Sequence, residues 1–276
     1  MFRVWVAKLS HIHVEPVLPS ALLQQFLQPH IMEECTPQCI SNVVWAMGRM
    51  GAYWPFLVRT LGQKAMSFDI WIKLQPRDVA MIVWGASRLG LADAPLMYSL
   101  AYRLAYNFEW LLMNVEETAW YLEGCADTGF NPPWLMRFML RLVDKSLADF
   151  NAKQMSMIIK SLARLKILNR DMFDGLVYHA FQPNMVHTPE TILNILQVAG
   201  RATIHIKCLP VIIDEAYTDS TTLAMMAPFI TDAKFIISLA AAEDCVRLAV
   251  LLTRAGSKQL DEAVYAVVMR YDMVAT

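Results

Sequence analysis

The chain has 276 residues, with 24 Lys and Arg against 25 Asp and Glu, and a formal net charge of −1 at pH 7. At 56% hydrophobic residues with only 10 glycines, it is too apolar to stay disordered and too poor in glycine for a turn-rich β domain. Near-neutrality also excludes a protein coated in nucleic acid on every side, because phosphate affinity is supplied by Lys and Arg.

The N-terminal MFRVWVAKLSHIH carries Arg3 and Lys8 with no acid before Glu15, which fits an organellar presequence and equally an uncleaved helix or strand. SALLQQFLQPHIMEE (Ser20–Glu34) then reads as a lone helix, so residues 1–35 are expected to form a degenerate cap. A repeat starts next. NVVWAMGRMG (Asn42–Gly51) returns 39 residues later as MIVWGASRLG (Met81–Gly90), preceded by CTPQ (Cys35–Gln38) and LQPR (Leu74–Arg77) with a proline at the same offset. The same punctuation recurs at Asn114-Val115-Glu116-Glu117, Asn151-Ala152-Lys153-Gln154 and Thr188-Pro189-Glu190-Thr191, with a sixth start at Ala227-Pro228 or Thr231-Asp232.

These are helix starts. Thr36, Asn114, Asn151 and Thr188 supply an acceptor for an orphan first-turn amide, and a proline just inside loses nothing by lacking its own donor. Asn114 with Glu117, and Asn151 with Gln154, have capping-box spacing. Ile40, Val43, Val44 and Met47, like Val79, Ile82, Val83 and Ala86, recur at helical spacing. The first helices end near Gly51, Gly90 and Gly129, and second helices follow as WPFLVRTLGQKAM, APLMYSLAYRLAY, PPWLMRFMLRLVDKSL, RDMFDGLVYHAF and CLPVIIDEAY. A single hairpin of this size cannot bury its apolar stripes, whereas a stack makes a continuous core. The expected fold is all-α: a right-handed α-solenoid of helical hairpins with a 37–39 residue period. Five hairpins span residues 36–226, and a degenerate repeat with a helical cap fills residues 227–276.

Charged residues interrupt every apolar run before the ~18–20 residues that cross a bilayer, so no membrane insertion is expected. Five cysteines without a CxxC pair read as reduced thiols. No phosphate loop, GxSxG or HExxH occurs, and Cys35 with Cys39, or His11 with His13, lacks further ligands at a metal-site spacing. No enzymatic activity, cofactor, metal or small-molecule substrate is expected. Trp45, Trp84, Trp110, Trp120 and Trp134 read as core filling rather than stacking platforms.

Charge is unevenly spread. Between Arg137 and Arg170 eight basic residues stand against two acids, a local net charge of +6, which falls to +4 once Asp171 and Asp174 are included. Arg137, Arg141 and Lys145 share one stripe by their i, i+4, i+8 spacing, and Lys160, Arg164 and Arg170 continue the patch. These six are candidate phosphate contacts, with a solvated helix face as the plainer alternative. A second column, four residues after each tryptophan position, reads Arg49, Arg88, Asp127, Arg164 and Arg201. It forms either an arginine ladder for RNA or a set of last-turn cations that complement the helix dipoles.

The caps, the xxxWAxxRLG-like first helix, the proline-led second helix and the period together resemble octatricopeptide and heptatricopeptide repeats and the related helical region of FAST-kinase-type proteins. Asn131-Pro132-Pro133-Trp134-Leu135 with Phe138 looks like the PP-x-W-L-type segment of octatricopeptide repeats. The resemblance covers about residues 36–205. It implies a mitochondrial or plastid RNA-binding protein, a partner of rRNA or of an organellar transcript, such as a structural subunit of a divergent mitochondrial ribosome. Such proteins often end in a compact RAP domain, and the helical pattern here runs to Thr276, so no nuclease-like activity is carried over. The alternative is a protein-binding solenoid scaffold that holds neighbouring subunits of a large mitochondrial complex, a reading that near-neutrality favours.

Overall fold

The computed structural model describes residues 27–180 and a few isolated positions on either side. The expected repeat starts from Thr188 onward, the helix CLPVIIDEAY, the C-terminal cap, Arg201 and nearly all of the N-terminal cap lie outside the described residues. Within them every regular element is helical: α1 (Pro29–Glu33), α2 (Pro37–Met50), α3 (Pro55–Met66), α4 (Phe68–Trp71), α5 (Pro76–Arg88), α6 (Ala94–Ala105), a 3-10 segment (Tyr106–Leu112), α7 (Val115–Thr128), α8 (Pro133–Lys145), a 3-10 turn (Leu147–Asp149), α9 (Ala152–Arg164) and α10 (Arg170–Ala180). These make four hairpins, α2/α3, α5/α6, α7/α8 and α9/α10, of the α-solenoid that the periodicity predicts.

The helix starts follow the capping chemistry. Thr36 Oγ1 accepts the amide of Cys39 at 3.3 Å. In α7, Asn114 Oδ1 accepts the Glu117 amide at 2.9 Å while Glu117 returns the bond to the Asn114 amide at 3.0 Å. Asn151 and Gln154 repeat that exchange at 2.9 and 3.0 Å. At α5 the Asp78 carboxylate accepts the Gln75 amide at 3.1 Å, and its other oxygen accepts the Ser41 hydroxyl of α2 at 2.7 Å. That one buried carboxylate therefore caps its own helix and ties it to the neighbour.

The helix ends share one closing bond. The amides of Ala52, Leu91, Phe130 and Ile167 donate to the carbonyls of Met47, Ala86, Cys125 and Leu162 at 2.9–3.1 Å, the six-to-one bond of a Schellman end. It requires a left-handed residue just before, and Gly51, Gly90 and Gly129 supply φ of 64°, 67° and 70°. In the fourth repeat Lys166 takes that position at φ 59°, where a Cβ makes the conformation costly.

The described residues fall into two compact units, one up to Ser146 and one from Leu147 onward. In the first, α2, α5 and α7 lie side by side as one layer, and α3 packs against α6 in the other. Ile40, Val44 and Met47 of α2, Val79, Ile82 and Val83 of α5, and Tyr121, Leu122 and Cys125 of α7 are buried, each fully buried aliphatic side chain contributing ~1.5–3 kcal/mol. The approach is closest at glycines. A Cβ on Gly48 would lie 2.7 Å from the Gly85 Cα, and one on Gly124 would lie 2.6 Å from Val83 Cγ1 and 3.1 Å from the Val83 carbonyl oxygen. In the second unit α9 packs on α10 through residues such as Met155, Ile159, Phe173 and Val177.

Two elements depart from expectation. Ser20–Glu34 is not one helix: a turn and bend at Leu27 and Gln28 precede α1, which restarts at Pro29 because proline has no N–H for a continuing helix and crowds the turn before it. The connectors also hold extra structure. Arg103 of α6, 2% exposed, donates to the carbonyl oxygens of Trp71 and Ile72 at 2.8 and 3.1 Å and pairs with Glu109 at 2.7 Å, so α4 and the 3-10 segment are fastened to one buried guanidinium.

Two substitutions test this packing by denaturant unfolding. Gly85→Ala drives a methyl into the α2 backbone and is expected to cost ~3 kcal/mol, whereas Gly62→Ala, whose Cβ would meet Leu96 only at 3.5 Å, should be neutral or stabilise by up to ~1 kcal/mol. Lys166→Gly removes the left-handed strain and should raise stability by ~1 kcal/mol.

Candidate nucleic-acid interface

Helix α8 opens on Pro133 and buries Leu135, Met136, Met139, Leu142 and Val143, which turns Arg137, Arg141 and Lys145 outward, all exposed. None of the three makes an ion pair with a described residue, including Asp144, the one acid of this helix. On a 3.6-residue turn, Trp134, Arg141 and Lys145 fall within about 40° of one another, with Arg137 and Phe138 on either side.

Next to this stripe lies a run of aromatic rings. Tyr98 and Tyr102 of α6 are 45% and 56% exposed, because Leu96, Met97, Leu100 and Leu104 take the buried face of that helix. Tyr102 stacks on Trp134 with ring centroids 5.5 Å apart and planes 12° apart. Tyr98 meets the edge of Phe130 at 4.9 Å, and Phe138 stacks on Trp110 at 5.0 Å. The two tyrosines were legible as the i, i+4 pair off the apolar stripe of APLMYSLAYRLAY. The expectation of tryptophan cores holds only for Trp110, which is 7% exposed. Trp45, Trp84, Trp120 and Trp134 are half-buried, since each sits at the margin of its helix's apolar stripe.

The first-helix column has a different chemistry. The guanidiniums of Arg49 and Arg88 lie over the rings of Trp45 and Trp84 at 5.8 and 5.7 Å. Trp45 and Trp84 are 6.2 Å apart, and Trp45 and Trp120 6.1 Å. One repeat further the tryptophan position is Glu123, and its carboxylate accepts Trp84 Nε1–H at 2.7 Å. Trp45 faces an indole instead of an acceptor at the equivalent place, and its Nε1–H has no partner among the described residues. That third repeat also loses the arginine, to Asp127, whereas the fourth has Lys160 in place of the tryptophan and keeps Arg164. Arg49 and Arg88 stay exposed but belong to the first-helix layer, whereas the Arg137 stripe belongs to the second-helix layer.

In the second unit Lys160 and Arg164 are exposed on α9, with Lys160 Nζ donating to Asn194 Oδ1 at 3.3 Å. Arg170 is 3.9 Å from Asp174, so the acid that the sequence count set against this patch meets it directly. Three groups elsewhere are held in their neutral forms: burial pushes the Cys125 thiol and the Tyr121 hydroxyl up, and Cys35 rises through its hydrogen bond with Cys39 and then through burial. A thiol so shifted is a poor nucleophile. Among the described residues no three His, Cys, Asp or Glu side chains gather as a metal site, and no helix is long and apolar enough to cross a membrane.

The arginine-over-indole contacts carry a stability test. Arg88→Gln should cost ~0.5–1 kcal/mol in denaturant unfolding, and the loss should shrink in an Arg88→Gln, Trp84→Leu double-mutant cycle.

A family model described as RNA-editing substrate-binding complex 6 protein (RESC6) matches residues 33–203, more than half of the chain. This is a helical, RNA-associated family, and the matched span nearly coincides with the segment that carries the octatricopeptide-like pattern. No curated protein matches the chain.

Proposed function

The chain belongs to the RNA-editing substrate-binding complex 6 protein family, and from that premise we propose that it is a non-catalytic subunit that holds RNA within a mitochondrial RNA-editing complex. The family's name refers to an editing complex, so the assembly proposed is that one rather than a ribosome. The observation that supports RNA contact is the α8 surface: three exposed cations with no ion-pair partner among the described residues, at regular spacing, in a chain of net charge −1. Phosphates neutralise such a stripe by releasing counterions. Lys160, Arg164 and Arg170 on the second unit, and Arg49 and Arg88 on the first-helix layer, are secondary candidates. Arg170 is the weakest because Asp174 offsets its charge.

A protein-holding role has its own support. Phe68, Leu112, Phe56 and Phe108 are 78%, 71%, 69% and 65% exposed on α3, α4 and the 3-10 segment, large apolar side chains that a subunit of an assembly covers with its neighbours. Both roles fit one subunit.

RNA titration at several salt concentrations tests the RNA arm. Replacing Arg137, Arg141 and Lys145 with Gln removes up to three phosphate contacts, and at about −0.7 per phosphate on a single strand the slope of log K against log salt should flatten by up to ~2 units. The fold should survive, because exposed charge changes usually cost no more than ~0.5 kcal/mol. Unchanged affinity and unchanged slope remove this stripe from the reading.

A further inference from the structure

Beside the α8 stripe is an open groove of about 570 Å³ between the start of α6 and the α7–α8 turn, lined by Met97, Tyr98, Phe130, Pro132, Pro133 and Trp134 among others. We propose that this groove takes the base of an unpaired RNA nucleotide by stacking, while the α8 stripe holds the phosphates that follow it. The proposal rests on the RNA-binding reading above and names what that surface reads.

Three observations converge on a base rather than another occupant. The lining offers π-faces already fixed in place: Tyr98 is in ring contact with Phe130 at 4.9 Å and with Tyr102 at 6.3 Å, and Trp134 with Tyr102 at 5.5 Å and Phe138 at 6.1 Å. Rings held this way lose little freedom when a planar ligand stacks on them. The groove is also continuous with charge of the required sign. Trp134 lines it, and Arg141 and Lys145 stand on the same line of α8, about 10 and 16 Å further along the axis. Its lining holds few side-chain readout groups. Pro132 and Pro133 have no amide donor, and the Thr128 hydroxyl is occupied by the carbonyls of Gly124 and Cys125 and by the Phe130 amide. Asn131 is the one side-chain amide on the lining, so such a site recognises chiefly a π-face, which gives largely sequence-tolerant binding of single strands.

The volume suits the assignment, since ligand sites run from ~300 to 1,000 Å³. It also explains the Asn131-Pro132-Pro133-Trp134 segment, which a plain helix start does not require: the two prolines fix the turn and place the indole at the groove instead of in the core.

The test uses the full chain, a short labelled oligouridine, the same strand with abasic sugars, and the same strand annealed to its complement. Stacking is worth ~1–3 kcal/mol per base, so Trp134→Leu and Tyr98→Leu should each weaken oligouridine binding by about tenfold or more. The salt slope should stay unchanged, because no phosphate contact is lost. Trp134→Phe should restore most of the affinity, and the abasic strand should bind wild type weakly and no longer distinguish it from Trp134→Leu. Equal binding of the abasic or the annealed strand overturns the groove assignment. So do leucine variants that bind like wild type while the Arg137, Arg141, Lys145 triple variant flattens the slope, in which case the phosphate track stands alone. Wild-type protein with no affinity for any strand removes both readings, and leucine variants that lose subunits of the assembly but no RNA transfer the groove to a protein partner. Should Trp134→Leu fail to fold, the exposed Tyr98→Leu and the abasic strand on wild type decide.

Discussion

The first unit depends on how closely its first helices approach. Gly48 and Gly85 bring the backbones of α2 and α5 into contact, and Gly124 brings α7 against Val83 of α5. No side chain fits between them, so the layer is set by backbone against backbone rather than by the jigsaw of a wider core. One consequence is visible in the rings. Trp45 on α2 reaches both Trp84 on α5 and Trp120 on α7 at about the same centroid distance, 6.2 and 6.1 Å, although α5 lies between the other two helices. Only a tightly closed layer allows that.

Close stacking then decides the chemistry of the column. When neighbouring repeats bring equivalent positions together, each residue is partner to the same position of the next repeat. Trp84 finds Glu123 and satisfies its N–H; Trp45 finds Trp84 and leaves its own unsatisfied, a cost of order 1–3 kcal/mol set against the area its indole buries. The arginine four residues on covers the exposed indole face from above. Where the indole is replaced by Glu123 the arginine is replaced by Asp127, and in the fourth repeat the pair becomes Lys160 and Arg164. The tryptophan–arginine pairs are in contact at this four-residue spacing; the like charges of Glu123 with Asp127, and of Lys160 with Arg164, give no mutual stabilisation at that spacing.

Much of this was legible in the chain. Capping boxes at Asn114 and Asn151 and the glycine ends at Gly51, Gly90 and Gly129 are local rules, satisfied within six residues, and the structure places them as the spacing predicts. What was not legible depends on the neighbour. Gly48, Gly85 and Gly124 look like weak points inside helices when read alone, and only the adjacent helix shows why they carry no side chain. Trp134 reads as core by its size, and it takes the placement of Tyr102 and of the turn before it to show that one face stays open. Tyr98 and Tyr102 were the missed signal that needed no neighbour, because their position off the Leu96, Met97, Leu100 and Leu104 stripe follows from helical period alone. Lys166 hides for the opposite reason: the closing bond forces its backbone while its side chain gives no sign of a helix end.

The division between layers explains how a nearly neutral chain still presents a cationic face. The first helices of the first unit are committed to stacking, by glycines, caps and half-buried indoles, and Arg49 and Arg88 lie over those indoles. The second helices cover one another less closely and are free to differ, and α8 alone among them combines Pro-Pro-Trp at its start with Arg137, Arg141 and Lys145 along its length. The contact surface proposed above, three phosphates and one or two bases, is modest. At about −0.7 per phosphate, three contacts lose roughly twentyfold in affinity between 50 and 200 mM salt, which leaves weak binding for an isolated chain. Within an assembly that already holds the strand at other points, the same contacts act at an effective concentration reaching the millimolar range and strengthen retention by orders of magnitude. On the reading proposed above, exposed apolar side chains such as Phe68 and Leu112 would join the subunit to such an assembly, and weak RNA contact and protein contact would be two parts of one function rather than rival accounts of it.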